Sequence, residues 1–256
     1  IYDPIQSRAY RVASSFVFEH IDPSLIPKKT YRKFPVQGLF DGQLKFAGSG
    51  HTLEEAYEDF EGDLTITGRN GVLTAFELDS RSQLGLLGAG ILGQSLNRPG
   101  MTAMAQAVPY FKDMKFESFT LQLVRGKDKQ VRIPELKLMG DNLSINAHGA
   151  IAAGNLGEIL DHPLYLSLGL GAKGRLVDHL ETLQLLGSKT SEDGFRNWNQ
   201  DIEIRGSLGD PDTSALKGLL NNAARRALDK PGKGEAAGTP KPSAQDGIVL
   251  PGQNNA

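Results

Sequence analysis

Residues 38–79 read GLFDGQLKFAGSGHTLEEAYEDFEGDLTITGRNGVLTAFELD, and the fold is decided within them. Two runs share one rhythm. Gln43-Leu44-Lys45-Phe46-Ala47-Gly48 and Asp63-Leu64-Thr65-Ile66-Thr67-Gly68 alternate polar with apolar residues and end on glycine. A period of two sends successive side chains to opposite faces, so each run predicts a strand with one buried and one wet face. Between them Thr52 and Glu55 have capping-box spacing. Leu53, Ala56, Tyr57 and Phe60 recur at helical intervals, which predicts a short helix with one apolar stripe. Arg69-Asn70-Gly71 then carries the Asn-Gly pair of a tight hairpin turn, and Val72, Thr74, Phe76 and Leu78 share one face of the expected return strand.

The same rhythm recurs along the chain. Asp201-Ile202-Glu203-Ile204-Arg205-Gly206 repeats it closely, and Asn142-Leu143-Ser144-Ile145-Asn146-Ala147 repeats it with alanine in place of glycine. The spacings are irregular, which excludes a fixed-period solenoid and predicts a meandering antiparallel sheet. Further strands are expected at residues 10–21, where Val12, Phe16 and Phe18 are apolar, and at residues 116–151, where turns at 125–128 and 140–142 separate three strands. Pro134 marks a bulge or an edge in the second of these. Leu164, Leu166, Leu168 and Leu170 make one more strand. Helices are expected at 84–96, 102–111, 176–186 and 214–228, the last capped by Asp212 or Thr213. The first is taken to end at Arg98-Pro99-Gly100, and residues 188–193 read as a polar loop. The fold class is therefore mainly β with helices (α+β): a curled antiparallel meander with one apolar face, covered in part by short helices. Residues 1–37 are read as an edge continuing from a longer parent, 38–228 as a β-rich domain, and 229–256, rich in Gly, Pro, Ala, Lys and Gln, as a disordered tail.

Composition excludes several functions. With 256 residues and a net charge of −2, nothing calls for nucleic acid. No cysteine is present, so there are no disulfides and no thiolate metal sites. No run reaches the roughly 18 apolar residues that span a bilayer. The chain starts at Ile1, which suggests a processed chain or a piece of a longer protein.

Catalytic patterns are missing. The five histidines, His20, His51, His148, His162 and His179, are not at ligand spacing on one element and read as solvated loop residues. Ser15, Ser80 and Ser207 lack a nucleophile-elbow context. Glu54, Glu55, Glu58, Asp59, Glu61 and Asp63 lack the oxygen-ligand pattern of a calcium loop and read as a solvated helix face. Gly88-Ala89-Gly90-Ile91-Leu92-Gly93 is formally GxGxxG, but Ser80-Arg81-Ser82-Gln83 before it makes a poor strand. Its glycines are read instead as permitting close helix packing against a sheet. No enzyme activity, cofactor or metal is expected.

A resemblance adds to this reading. Gly42-Gln43-Leu44-Lys45-Phe46-Ala47-Gly48-Ser49-Gly50, then Thr52-Leu53-Glu54-Glu55-Ala56, Phe60-Glu61-Gly62-Asp63-Leu64-Thr65-Ile66 and Asn70-Gly71-Val72-Leu73, resemble in order the C-terminal region of the AsmA-like (AsmA/TamB-related) bacterial envelope proteins. The run from Leu136 to Ile145 and the one from Gly149 to Leu156 fit the same pattern, and the resemblance covers residues 38–208. It implies a periplasmic segment of a parent anchored in the inner membrane. The implied partner is phospholipid or another acyl-chain lipid, moving along an apolar β-groove in support of lipid transfer and outer-membrane biogenesis. Other envelope proteins are further partners, nucleic acid is not, and membrane contact would come through parts outside this chain. The alternative is a filled β domain that docks to an envelope protein and binds no lipid. The side chains expected on the groove or core face are Leu44, Phe46, Leu64, Ile66, Phe119, Leu121, Leu123, Leu143, Ile145, Leu166, Leu168, Ile202 and Ile204. The helix with Gly88, Gly90 and Gly93 is the expected gate of the groove.

Overall fold

A computed structural model of the chain describes residues 10–23, 36–73 and 98–229. The expected helix at 84–96 with Gly88, Gly90 and Gly93, the return strand beyond Leu73 and the tail beyond Asp229 lie outside the described residues.

The alternating runs become one antiparallel sheet. Its strands are β1 (Tyr10–Ile21), β2 (Val36–Gly50), β3 (Glu61–Leu73), β4 (Met114–Arg125), β5 (Val131–Met139), β6 (Leu143–Ile151) and β7 (Leu164–Ala172), each paired with the next in sequence. β7 then forks. Its first half pairs with β10 (Ile202–Gly206), which continues to the short β11 (Pro211–Asp212). Its last residues pair with β9 (Arg196–Trp198), the partner of β8 (Leu186–Thr190). The sheet curls but does not close. The polar loop expected at 188–193 lies instead at 191–195, because residues 188–190 belong to β8 and β9 begins at Arg196. The residues of β8 and β9 are mostly polar and exposed, so they leave no hydrophobic alternation to read.

The helices are α1 (Leu53–Glu58), α2 (Pro99–Ala107), α3 (Pro109–Lys112), α4 (Arg175–Thr182) and α5 (Ser214–Asp229). Pro99 opens α2, while the helix expected to end before it lies outside the described residues. The fixed φ and missing N–H of proline suit the first helical position. The α1 cap forms as expected: the Glu55 amide donates to Thr52 Oγ1 at 3.0 Å, and the Glu55 carboxylate accepts from the His51 amide at 2.7 Å. The α1 stripe does not form a core face. Ala56 is buried, while Leu53 and Tyr57 are exposed, because a six-residue helix can press only one turn onto the sheet. At α5, Asp212 accepts from the Ser214 amide at 2.8 Å.

Asn70-Gly71 does not turn the chain. β3 runs straight through it and keeps β4 as its partner, with Arg69 opposite Ser118 and Gly71 opposite Phe116. Asn70 takes a left-handed φ of 53° within the strand. Here the inward phase slips by one residue in both strands at once. Arg69 and Asn70 are both exposed in β3, as are Glu117 and Ser118 in β4, while Gly68, Gly71 and Phe116 are buried. The slip lets Phe116 and Phe119 both face inward, where they meet Phe40 at ring-centroid distances of 6.1 and 5.7 Å. Pro134 likewise sits at an irregularity, where β5 shifts register against both β4 and β6.

Glycines and phenylalanines pair across the inner face. A Cβ added at Gly42 would meet the Phe18 ring at 2.2 Å, at Gly68 the Phe40 ring at 2.5 Å, and at Gly71 the Phe116 ring at 2.1 Å. Each ring lies over the bare backbone of its neighbour, which uses the glycine and gives the ring a flat floor. On the outer face Asp41 ties three strands. Its carboxylate accepts from the His20 amide of β1 at 2.8 Å and from Arg69 of β3 at 3.4 Å. The His20 amide, chiefly, holds the Asp41 carboxyl below the ordinary value of 3.8, aided by Arg69 against some desolvation.

Gly71→Ala presses a methyl on the Phe116 ring and on the Gln37 carbonyl 2.3 Å away. It should destabilise the chain in urea by about 2 kcal/mol. Gly218→Ala, which meets nothing within 4 Å in α5, should stabilise by up to about 1 kcal/mol. Because the folded pKa of Asp41 is depressed, its contribution is full above the ordinary value and is lost as pH falls through the lower folded one. The His20 amide resonance should therefore shift in a titration below pH 3.8, and Asp41→Asn should abolish the shift.

Candidate functional site

The register places every side chain expected on the groove or core face on one surface. Leu44 lies opposite Leu64, with Phe46 two residues along. Leu64, Ile66 and Gly68 lie opposite Leu123, Leu121 and Phe119. Leu121 and Phe119 meet Leu136 and Leu138, which in turn meet Ala147 and Ile145, with Leu143 two residues from Ile145. Ala147 and Gly149 meet Leu168 and Leu166, and these meet Ile202 and Ile204. The row crosses the sheet from β2 to β10 without changing face.

Burial along that row is graded. Leu143, Ile145, Ile202 and Ile204 are buried. They join one core with Ala103, Met104 and Ala107 of α2, Leu176 and Leu180 of α4 and Leu216 of α5. Phe111 of α3 meets Trp198 of β9 edge-on at 5.7 Å. Ile66, Phe119, Leu121, Leu123, Leu166 and Leu168 are half-buried against this core. Leu44, Phe46 and Leu64 are half-buried and lie outside it. On β1, Val12 and Phe16 continue the same face, opposite Gly48 and Leu44, and Phe16 is 54% exposed. Among the described residues, the helices α2 to α5 cover the β5–β10 half. Phe40, Val36, Ile66 and Leu73 bring one end of β2 and β3 to that core, and among the described residues the other end of β1–β3 carries α1.

That end is closed by a buried cation. Arg125 follows Leu123 on the inner face, opposite Gly62, and is 5% exposed. Its guanidinium donates to the Phe60 carbonyl, to the Glu58 carbonyl at 3.1 Å and to the Gly154 carbonyl at 3.4 Å. It also stands 5.1 Å from the centre of the Phe60 ring. The Phe60 ring meets Phe46 edge-on at 5.5 Å, which joins the closure to the apolar row. The result is an apolar trough with a helical lid over one half and a plug of α1, Phe60 and Arg125 at one end of the other.

The outer face is mostly polar, with Val17, Leu39, Val124 and Tyr165 exposed on it. A cleft of about 620 Å³ opens where β7 forks, lined by Asn146, His148, Lys189, Asn197 and Asp201 among others. A second, of about 610 Å³, lies over β1–β3 around Gln43, Thr65 and Thr67. Among the described residues no three His, Asp or Glu side chains converge as metal ligands. No helix among them is long and apolar enough to cross a membrane.

The trough depends on side chains that the strand rhythm does not single out. Arg125 reads locally as a turn residue, and its role comes from α1 packing back onto β2, which brings the Glu58 and Phe60 carbonyls within its reach. Val12, Phe16 and Phe18 are visible as an apolar set, but their place on the same face as Leu44 comes from the β1–β2 register. No family model, no curated protein and no solved structure matches the chain.

Arg125→Leu leaves the Glu58, Phe60 and Gly154 carbonyls without their donor. It should cost about 3 kcal/mol in urea unfolding, and Arg125→Lys should recover only part of it.

Proposed function

We propose that this chain is a non-enzymatic lipid-binding segment whose apolar trough takes acyl chains over its β1–β4 half. The observation that carries the proposal is the continuation of the core face, which no helix but α1 covers among the described residues. Phe16, Leu44, Phe46 and Leu64 share that face with the packed core yet remain outside it and partly accessible to water. A contiguous apolar surface of this kind is costly unless a ligand or partner covers it. An acyl chain suits it because the trough offers apolar area without a convergent set of polar groups. Each methylene removed from water contributes about 0.8 kcal/mol. The resemblance of residues 38–208 to the AsmA-like envelope proteins points the same way. It supports a periplasmic setting within a parent anchored in the inner membrane, and a role in carrying phospholipid towards the outer membrane.

A second reading draws on the other half of the sheet. There the inner face is filled by α2, α4 and α5, as in an ordinary core. Under it the chain is a structural module that docks to another envelope protein and carries no lipid.

Native mass spectrometry of the purified chain distinguishes the two. The lipid-binding proposal expects phospholipid bound to the wild-type chain. A Leu44→Ser, Leu64→Ser double variant, altered where the face is open, should lose the lipid while keeping its far-ultraviolet circular dichroism. A well-folded wild-type chain without lipid would favour the docking module.

A further inference from the structure

We propose that β1 is a self-association edge, along which a second copy of this chain adds antiparallel, with Ser15 on the twofold axis. The two edges of the sheet are unlike. At the β7 side the sheet ends in β8, β9, β10 and β11, of 5, 3, 5 and 2 residues. Short, staggered strands protect an edge against strand addition. At the other side stands β1, of 12 residues, and among the described residues its only strand partner is β2. It contains no proline, and its one irregularity lies near its end, between Phe18 and Ile21. Its middle is apolar on both faces: Phe16, 54% exposed, on the inner and Val17, 65% exposed, on the outer. A long edge of this kind is a template for another strand.

The sequence of β1 identifies that strand as its own copy. A twofold axis perpendicular to a sheet pairs only residues on the same face. Centred on Ser15, it sets Arg11 opposite Glu19 of the second copy and, by symmetry, Glu19 opposite Arg11. On the same outer face Ala13 meets Val17. On the inner face Val12 meets Phe18 and Ser14 meets Phe16. Both charges are thus neutralised, and Val12, Phe16 and Val17 each face an apolar or small residue. Shifting the axis to Phe16 sets Glu19 against Ala13 and Arg11 against Ile21, and the charge pairing is lost. The Ser15 axis also puts both inner faces on one side, so two troughs join into one. The pairing needs only the edge of β1 and holds whether or not the trough binds lipid.

Sedimentation equilibrium of the full chain tests the proposal. The wild type should reach twice the 27.6 kDa chain mass. Arg11→Glu turns two attractive pairs repulsive and should weaken the dimer about tenfold, and adding Glu19→Arg should restore it. The chain contains no cysteine, so Ser15→Cys should cross-link with its symmetry mate under copper-phenanthroline, whereas Arg11→Cys should not. All three altered positions are exposed, so circular dichroism should stay unchanged; if Arg11→Glu unfolds the chain, the cross-linking pair decides. Three results overturn the proposal. One is a wild-type monomer up to about 100 µM. Another is a dimer indifferent to Arg11→Glu and equally cross-linked at both positions. The third is a monomer whose β1 amides all resist hydrogen exchange, which would mean that the chain's own residues cover the edge.

Discussion

Everything in this chain depends on the register of one antiparallel sheet. Side chains alternate faces with a period of two, so a slip of one residue in any strand would turn its apolar set into water. From Leu44 on β2 to Ile202 on β10 the register keeps a continuous apolar row. Where the row has to change phase, the change is shared. Arg69-Asn70 on β3 and Glu117-Ser118 on β4 slip together, and Phe116 and Phe119 both stay inside. The glycines serve the same row, since a phenylalanine ring lies over the bare backbone at Gly42, Gly68 and Gly71.

The row is longer than its cover. Among the described residues, four helices pack against the β5–β10 half, and their apolar side chains complete one core with β5, β6, β7 and β10 and with Phe40, Met114 and Phe116 at one end of β2 and β4. At the other end of β1–β3 the cover among the described residues is α1, which presses Ala56 onto Gly48 and Gly50 and is tied by polar contacts. Arg125 gathers the carbonyls of Glu58, Phe60 and Gly154, and a buried guanidinium held this way gives the closure a fixed geometry. Gradation in burial is thus a direct consequence of where the helices fall along the chain. An acyl chain lying on the open half would complete the cover that the helices begin.

The sheet is also asymmetric across its strands. One edge breaks into short strands at the β7 fork, while the other is the long, uncharged middle of β1. An open curled sheet leaves two edges by construction, and only one of them is shortened here.

By itself the sequence determined the strands that alternate apolar with polar residues and which of their side chains share a face. Alternation in Leu44-Lys45-Phe46, Leu64-Thr65-Ile66 and Ile202-Glu203-Ile204 is a local property of the backbone, and it places those side chains together whatever the rest of the chain does. Thr52, Asp212 and Pro134 were legible for the same reason, since a cap or a bulge is satisfied within a few residues. Tertiary structure decided what local chemistry leaves open. Asn70-Gly71 suits a turn or a kinked strand equally well, and pairing with β4 keeps it straight. Strands β8 and β9 exist because β7 offers them an edge, not because their side chains alternate. Whether an inward leucine is core or trough was likewise invisible. Leu64 and Leu143 sit in the same rhythm, and only the position of the helices buries one and leaves the other partly open, because burial depends on residues far away in the chain.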